Sequence, residues 1–197
     1  MTVSLREVPL SEVVPLTWAL LERAVETNAG PLRLPVLASV GTDGRPQARV
    51  VVLREVDAQA RTLAVYTDAR SPKVAELAAT PHAALCFYAP EEGLQLRIAG
   101  RVALHHADEH AQRAWDSAGL YARRSYLTTA APGTPLESAG DGLPADYDPQ
   151  VGSGEHLAVV RLYVEQLDWL VLSPEGHRRA GAVAGPRGSW DTSWLVP

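Results

Sequence analysis

The most regular alternation of apolar and polar residues in the chain lies in the segment LQLRIAGRVALHH, residues 94–106. Because successive side chains of a strand point to opposite faces, this period of two predicts a strand with one buried and one solvated face. Over residues 13–27 the apolar spacing changes to three and four, which predicts a helix that ends before Gly30 and Pro31. The chain therefore begins with a helix and continues into strands.

The rest of the pattern extends this order. Asp43-Gly44 between two apolar runs is typical of a hairpin turn, because glycine adopts positive φ without strain. Strands interspersed with only two further helices favour a mainly β (α+β) barrel with flanking helices over a regular βα alternation. We expect one domain over residues 1–197. The predicted elements are strands over 34–41, 47–56 and 61–68, a short helix over 71–79, strands over 82–90 and 94–106, a helix over 107–118, an irregular segment over 128–154, and a closing pair of strands over 156–172.

Composition narrows the function classes. The 197-residue chain is 46% hydrophobic and has a net charge of −5, so no global positive field favours nucleic acid or an anionic membrane. Its start lacks the pattern of a signal peptide, and no apolar run is long enough to span a bilayer. The single cysteine, Cys86, cannot form an internal disulfide. A reducing cytoplasm is therefore the expected location.

Common catalytic motifs are missing from the sequence. It contains no phosphate-binding P-loop, no glycine-rich dinucleotide turn after a strand and no nucleophile elbow. His106 and His110 have the spacing of two metal ligands on a helix, directly after His105. Because no second ligand cluster accompanies them, we predict a solvated helix start and no metal site.

Cations concentrate in one part of the chain. A phosphate monoester needs several charge-assisted hydrogen bonds to replace its hydration, and arginine, lysine and a helix N-terminus supply them. The segments RVVVLR and DARSPK, residues 49–54 and 68–73, therefore read as two halves of a phosphate cradle. The alternative is a set of surface charges balanced by nearby acids, and charge pattern alone leaves both open. The cradle residues are Arg49, Arg54, Arg70, Ser71 and Lys73, with Thr67 between them; the acids are Glu55, Asp57 and Asp68.

Five segments in order carry a family resemblance: RVVVLR, VYTDARSPK, LQLRIAG, DWL and HRRA. From about residue 34 onward the chain resembles the FMN-binding split barrels of the pyridoxamine 5′-phosphate oxidase superfamily, most closely the Alr4036-like subgroup. The resemblance implies an antiparallel split β-barrel of Greek-key type. It also implies a homodimer that binds FMN at the subunit interface.

The resemblance assigns roles by position. Arg49, Ser71 and Lys73 match phosphate-binding positions, and Arg70 replaces the arginine that relatives have at Pro72. The valine run would line the flavin ring with its backbone, and the later residues would complete the site, in part from the other subunit. The implied cofactor-binding residues are Arg49, Val50, Val51, Val52, Leu53, Arg54, Tyr66, Thr67, Arg70, Ser71, Lys73, Gln95, Trp169 and Arg179. Without the resemblance, Trp169 would be a core aromatic.

The substrate side matches less well. Arg54, which stands where relatives have a lysine near flavin and substrate, and His177 are the candidate catalytic residues. Glu175 stands where relatives have an arginine for the substrate phosphate. We therefore predict an FMN-dependent oxidoreductase acting on an unknown small molecule, and these departures argue against the usual pyridoxamine phosphate activity. The alternatives are a non-catalytic flavin-binding module with a stress-related role and a split barrel that uses deazaflavin or haem.

Overall fold

In a computed structural model that describes residues 5–148, 150 and 152–197, four helices and nine strands form the chain. The helices are α1 Leu10–Glu26, α2 Pro72–Ala79, α3 Glu109–Ser117 and α4 Leu120–Arg123. The strands are β1 Val36–Val40, β2 Pro46–Val50, β3 Leu53–Asp57, β4 Thr62–Asp68, β5 His82–Ala89, β6 Leu94–His106, β7 Leu157–Val171, β8 Arg178–Ala184 and β9 Trp190–Leu195. The described residues of 128–154 form turns and bends without a helix or strand.

All strand pairs are antiparallel and belong to one sheet in the order β2-β1-β5-β6-β7-β4-β3. Strand β7 pairs with β4 through its first half and with β8 through its second half, and β9 extends β8. The sheet therefore divides along β7, as the predicted mainly β split barrel requires.

The long strand β7 corrects one prediction. The sequence predicted a closing pair of strands over 156–172, whereas the structure has a single strand from Leu157 to Val171. Its register against β6 shifts at Gly100, so that Glu165 bulges out of the ladder. A Cβ at Gly100 would lie 1.9 Å from the carbonyl oxygen of Tyr163, so only glycine fits beside the bulge.

Two other predictions about strands need correction. The apolar run over 47–56 was expected as one strand, but it breaks at Val51 and Val52 into β2 and β3. Strands β8 and β9 lie in the C-terminal segment, to which the sequence pattern assigned no element.

The main core lies between α1 and the inner face of the sheet. Alternate residues of β6 are fully buried there, and α1 adds a stripe at helical spacing, including Trp18 and Leu21. A smaller cluster joins α3 to the first half of β7 and β4 through Trp115, Tyr126 and Leu157. The two clusters hold β3, β4 and α2 around the candidate site.

Candidate functional site

Residues from β2, β3, β4 and α2 line a cleft of about 300 Å³. The segment after α4 contributes the opposite wall through Ser125, Tyr126 and Pro132, which the sequence did not indicate. The structure therefore brings together the two halves of the predicted cradle. The predicted residues that line the cleft are Arg49, Val50, Val51, Val52, Arg54, Tyr66, Thr67 and Lys73.

The break between β2 and β3 shapes one wall of the cleft. Val51 leaves the β1–β2 ladder and donates its backbone N–H to the carbonyl of Pro35 at 2.9 Å. Val50 is 63% exposed, whereas the side chain of Leu53 is fully buried in the core. Leu53 therefore supports the wall from behind and does not line it.

Lys73 lies among hydroxyl groups at the start of α2. Its ammonium donates to Thr67 Oγ1 at 3.0 Å and Ser71 Oγ at 3.2 Å, and these two hydroxyls lie 3.1 Å apart. Ser71 caps the helix and is buried, and Pro72 occupies the first helical position. Burial and the nearby charge of Arg49 lower the pKa of Lys73. An anion in the cleft would offset both effects, because it stabilises the charged ammonium of Lys73.

Arg49 is held by a buried pair from two other elements. Its Nη2 donates to Glu76 Oε2 of α2 at 2.7 Å, and its Nη1 donates to Ser39 Oγ of β1. Ser39 itself donates to the same Glu76 oxygen at 2.6 Å. Two of the five guanidinium donors are thus engaged, and the side chain still lines the cleft.

Arg54 and Tyr66 form the other end of the cleft. No described residue makes a hydrogen bond or ion pair with the Arg54 guanidinium, whose carbon lies 5.9 Å from the Tyr66 ring centre. The Tyr66 hydroxyl donates to Glu55 Oε1 at 2.7 Å. Burial and this carboxylate raise the pKa of Tyr66, so the phenol keeps its proton.

Arg70 does not line the cleft, whereas its partner Asp68 does. Its guanidinium forms a two-point contact with Asp68, at 3.0 and 2.7 Å, and also donates to the carbonyl and hydroxyl of Thr128 at 3.1 Å. The bond to Asp68 raises the pKa of Arg70. The described geometry therefore ties Arg70 to the segment that closes the cleft and gives no contact to the cradle.

Gln95, Trp169 and Arg179 lie away from the cleft. Gln95 and Arg179 both flank Leu170 in the sheet, on β6 and β8. Arg179 binds Asp168 at 3.1 and 2.6 Å, which raises its pKa. Trp169 is fully buried in the core of this chain, which favours a packing role over contact with a ligand.

His177 also lies elsewhere, in the turn before β8. Its Nδ1 accepts the backbone N–H of Ser173 at 3.0 Å. It lines a separate surface cleft of about 460 Å³ together with Arg6 and Glu175, which pair with each other. The two candidate catalytic residues, Arg54 and His177, are thus in different places within one chain.

The histidines have structural partners. His105 and His106 end strand β6 and do not start a helix; they contact Asp108 and the carbonyl of Glu155. Among the described residues, no three His, Cys, Asp or Glu side chains are placed to hold a metal ion. In the same part of the chain, no helix combines the length and apolar character needed to cross a membrane.

Comparison with known proteins identifies the fold family. A model of the pyridoxamine 5′-phosphate oxidase FMN-binding domain matches residues 16–106. The chain is 30% identical over 143 residues to pyridoxine/pyridoxamine 5′-phosphate oxidase 2 of Arabidopsis thaliana, an alignment that covers 69% of this chain and 72% of that protein. The chain belongs to the pyridoxamine 5′-phosphate oxidase family. Membership of the Alr4036-like subgroup stays a prediction.

Other members of the pyridoxamine 5′-phosphate oxidase family match over a shorter region. The chain is 47% identical to the pyridoxine/pyridoxamine 5′-phosphate oxidase of Myxococcus xanthus over 83 residues, which cover 42% of this chain and 39% of that protein. A pyridoxamine 5′-phosphate oxidase-related FMN-binding protein from Nostoc punctiforme superposes with a TM-score of 0.75 at 24% identity, covering 97% of this chain and all of that one. PhzG from Burkholderia lata, solved with tetrahydrophenazine-1-carboxylic acid, gives 0.73 at 19% identity, covering 100% of this chain and 98% of that chain. The structural likeness supports the split-barrel fold.

FMN is the cofactor of the matched family domain, and the cleft fits its phosphate. Arg49 and Lys73 supply two cations beside two hydroxyls, and the segment Val50–Val52 lines the same cleft. Sequence reasoning missed Glu76 and Ser39, which hold Arg49. Glu76 follows Lys73 by three positions on α2, so helical spacing already placed it near the cradle, but it gave no sign of the contact with Arg49.

Proposed function

We propose that this protein is an FMN-dependent oxidoreductase that acts on a small molecule. The observation that carries the proposal is the cleft itself, where Arg49 and Lys73 converge beside the Val50–Val52 wall. When bound, FMN supplies two-electron redox chemistry, and the protein supplies orientation and charge. The cations would hold the phosphate, and the backbone of the wall would line the ring.

Arg54 and Tyr66 are the proposed chemical end of the cleft. The guanidinium of Arg54, which has no partner among the described residues, would supply positive charge that stabilises negative charge on a reduced flavin or on a bound substrate. The Tyr66 hydroxyl is kept protonated and oriented by Glu55. Arg54 therefore suits a reaction in which negative charge develops beside the ring, and Tyr66 contributes a neutral hydroxyl.

A second copy of the chain is part of the proposal. One outward row of the sheet runs from Val50 through Val36 and Cys86 to Arg97 and Asp168. The next row contains Ala38, Ala84, Ala99 and Gln166. This outer face is rich in small residues, and its exposed apolar side chains include Val50 and Val36. Such a face suits pairing with an identical face.

The distance along the sheet explains why one copy is insufficient. Thr67 in the cleft pairs with Ala158 at the start of β7. Gln95 and Arg179 both flank Leu170, twelve residues farther along the same strand, which corresponds to about 40 Å along an extended strand. A second copy packed on the outer face would bring its own Gln95 and Arg179 to the cleft of the first. We also propose a cytoplasmic location, which suits the free thiol of Cys86.

The proposal is tested by absorbance spectroscopy between about 300 and 500 nm. The purified protein is mixed with FMN, desalted, and then treated anaerobically with NADH or NADPH before oxygen is admitted. We expect a retained two-band flavin spectrum that bleaches with a reductant and returns with oxygen. Retained flavin that neither nucleotide reduces, even with a panel of small-molecule reductants, would favour the non-catalytic module. A colourless protein would contradict both flavin readings.

A further inference from the structure

A buried carboxylate lies directly beneath the phosphate cradle. Glu76 is 6% exposed, and one of its oxygens accepts from both Arg49, at 2.7 Å, and Ser39, at 2.6 Å. Because Arg49 also donates to Ser39, the three side chains form a closed triangle from α2, β1 and β2. Neither Glu76 nor Ser39 lines the cleft. Any hydrogen-bonding effect that they have on a ligand must therefore pass through Arg49.

The triangle restrains a flexible side chain. An arginine loses conformational freedom when it binds an anion, and this loss weakens binding unless the side chain is already ordered. Engagement of Nη1 and Nη2 fixes the guanidinium plane of Arg49 and leaves three N–H groups for a ligand. Glu76 thus prepares Arg49 before the phosphate arrives.

The same carboxylate has an opposite electrostatic effect. Its negative charge lies beside the two cradle cations, since its contribution raises the pKa of Lys73 while that of Arg49 lowers it. A site that only attracts anions would exclude a carboxylate, because a negative charge lowers the affinity for a dianion. Glu76 therefore orders the cradle and, at the same time, lowers its positive electrostatic potential.

We propose that Glu76 is a positioning residue of the phosphate site, which orders Arg49 and moderates the affinity for FMN. The inference rests on the proposed function of the cleft. It separates two properties of one side chain, its hydrogen-bond acceptor and its charge. A glutamine at this position keeps the acceptor and removes the charge, whereas an alanine removes both.

The test compares FMN with riboflavin, which lacks the phosphate, in fluorescence titrations of the full chain. Glu76→Gln should bind FMN about threefold to tenfold more tightly than the unmodified protein, and Glu76→Ala about tenfold more weakly. Riboflavin affinity should change in neither variant. Glu92, exposed in the turn between β5 and β6, gives the matched controls Glu92→Gln and Glu92→Ala, which should leave both affinities unchanged.

Ser39→Ala provides a milder variant that keeps the ion pair, and it should weaken FMN binding about threefold with riboflavin unchanged. If Glu76→Ala does not fold, Ser39→Ala and Glu76→Gln together test the inference. Equal losses for FMN and riboflavin would overturn the inference, because they indicate a general structural role. So would tighter FMN binding by Glu76→Ala than by Glu76→Gln. If the unmodified protein shows no preference for FMN over riboflavin, the proposed phosphate site itself fails.

Discussion

Two groups of cations in this protein differ in how they are paired. In the cleft, Arg49 is paired with the buried carboxylate of Glu76, but Lys73 donates to hydroxyls and Arg54 has no partner among the described residues. On the outer sheet face, Arg179 is bound at two points by Asp168, which also lies 3.6 Å from Arg97. A cation whose donors are free or bound to neutral groups can take up an anion without first losing a carboxylate. The cleft is therefore the better prepared anion site.

The two groups also differ in how one chain assembles them. The cleft cations come from residues 49–73, on β2, β3 and the start of α2, and all of them line one cleft in a single chain. Thr67 in this cleft pairs with Ala158 at the start of β7, whereas Gln95 and Arg179 flank Leu170 near the end of that strand. A single chain therefore assembles the cradle, whereas in our proposal Gln95 and Arg179 come from a second copy.

The largest effect is expected from removing the cradle cations. Two charge-assisted hydrogen bonds at about 1.5–3 kcal/mol each correspond to roughly 100-fold to 10,000-fold in affinity. The double variant Arg49→Ala/Lys73→Ala should lose FMN by that factor while remaining folded, as measured by fluorescence titration and circular dichroism.

The matching double variant on the outer face is Arg97→Ala/Arg179→Ala. We expect its FMN affinity to fall about tenfold, since only Arg179 would approach the phosphate. Arg45→Ala, at an 83% exposed side chain, should have no effect. Undiminished FMN binding by the cradle variant would contradict the assignment of the phosphate to the cleft.

A charge introduced on the outer face should show whether FMN binding needs a second copy of the chain or only the cleft of one chain. Ala38 is exposed in the centre of this face, so Ala38→Glu is tolerated by a single chain but would bury an unpaired charge between two. We expect sedimentation to show monomers in place of dimers and FMN affinity to fall at least about tenfold. Ala60→Glu, in the exposed turn between β3 and β4, is the control. Full FMN affinity in a monomeric variant would show that one chain is sufficient.

The titration of Lys73 gives a smaller and more specific effect. Lys73 is the only lysine in the sequence, so a ¹³C-methylated side chain gives one lysine signal in NMR spectra. Burial and Arg49 lower its pKa from the usual 10.5. A phosphate that stabilises the ammonium must raise this pKa, and FMN affinity must fall as the pH rises through the pKa of the free protein. Lys73→Arg should remove this decline, and a pKa unmoved by FMN would place the phosphate elsewhere.

The smallest effect is expected at Trp169. Because its indole is fully buried in its own chain, Trp169→Phe should leave FMN affinity within about twofold, with a loss of stability of about 1–2 kcal/mol from the smaller ring. Thermal unfolding with and without FMN measures both. A drop in FMN affinity of tenfold or more with unchanged stability would instead support the predicted contact between Trp169 and the cofactor.

Much of the fold was predictable because its signals are local. The Asp43-Gly44 turn, the alternation over β6 and the proline after α2 each fix an element within a few residues. The break at Val51 and Val52 was not predictable, because valines favour a strand whether or not a neighbouring strand pairs with them. The single strand β7 was missed because Glu165 and Gln166 interrupt its apolar run, and only pairing with β6 turns that interruption into a bulge.

The contacts of the candidate site divide in the same way into local ones, which could be predicted, and distant ones, which could not. Ser71, Lys73 and Thr67 lie within seven residues, so their convergence follows from one turn and one helix start. The contact between Arg49 and Glu76 joins residues 27 positions apart, and the contact between Arg70 and Thr128 joins residues 58 positions apart. Such pairs depend on how α2 and the 124–132 segment pack on the sheet, which the pattern of a single sequence does not specify.

A crystal structure of the protein grown with FMN tests the central claim most directly. The account predicts the phosphate within hydrogen-bond distance of Arg49 and Lys73, the flavin ring against Val50–Val52, and Gln95 and Arg179 of a second copy completing the site. A phosphate bound to Arg97 or Arg179 of a single chain, with the cleft filled only by water, would contradict it.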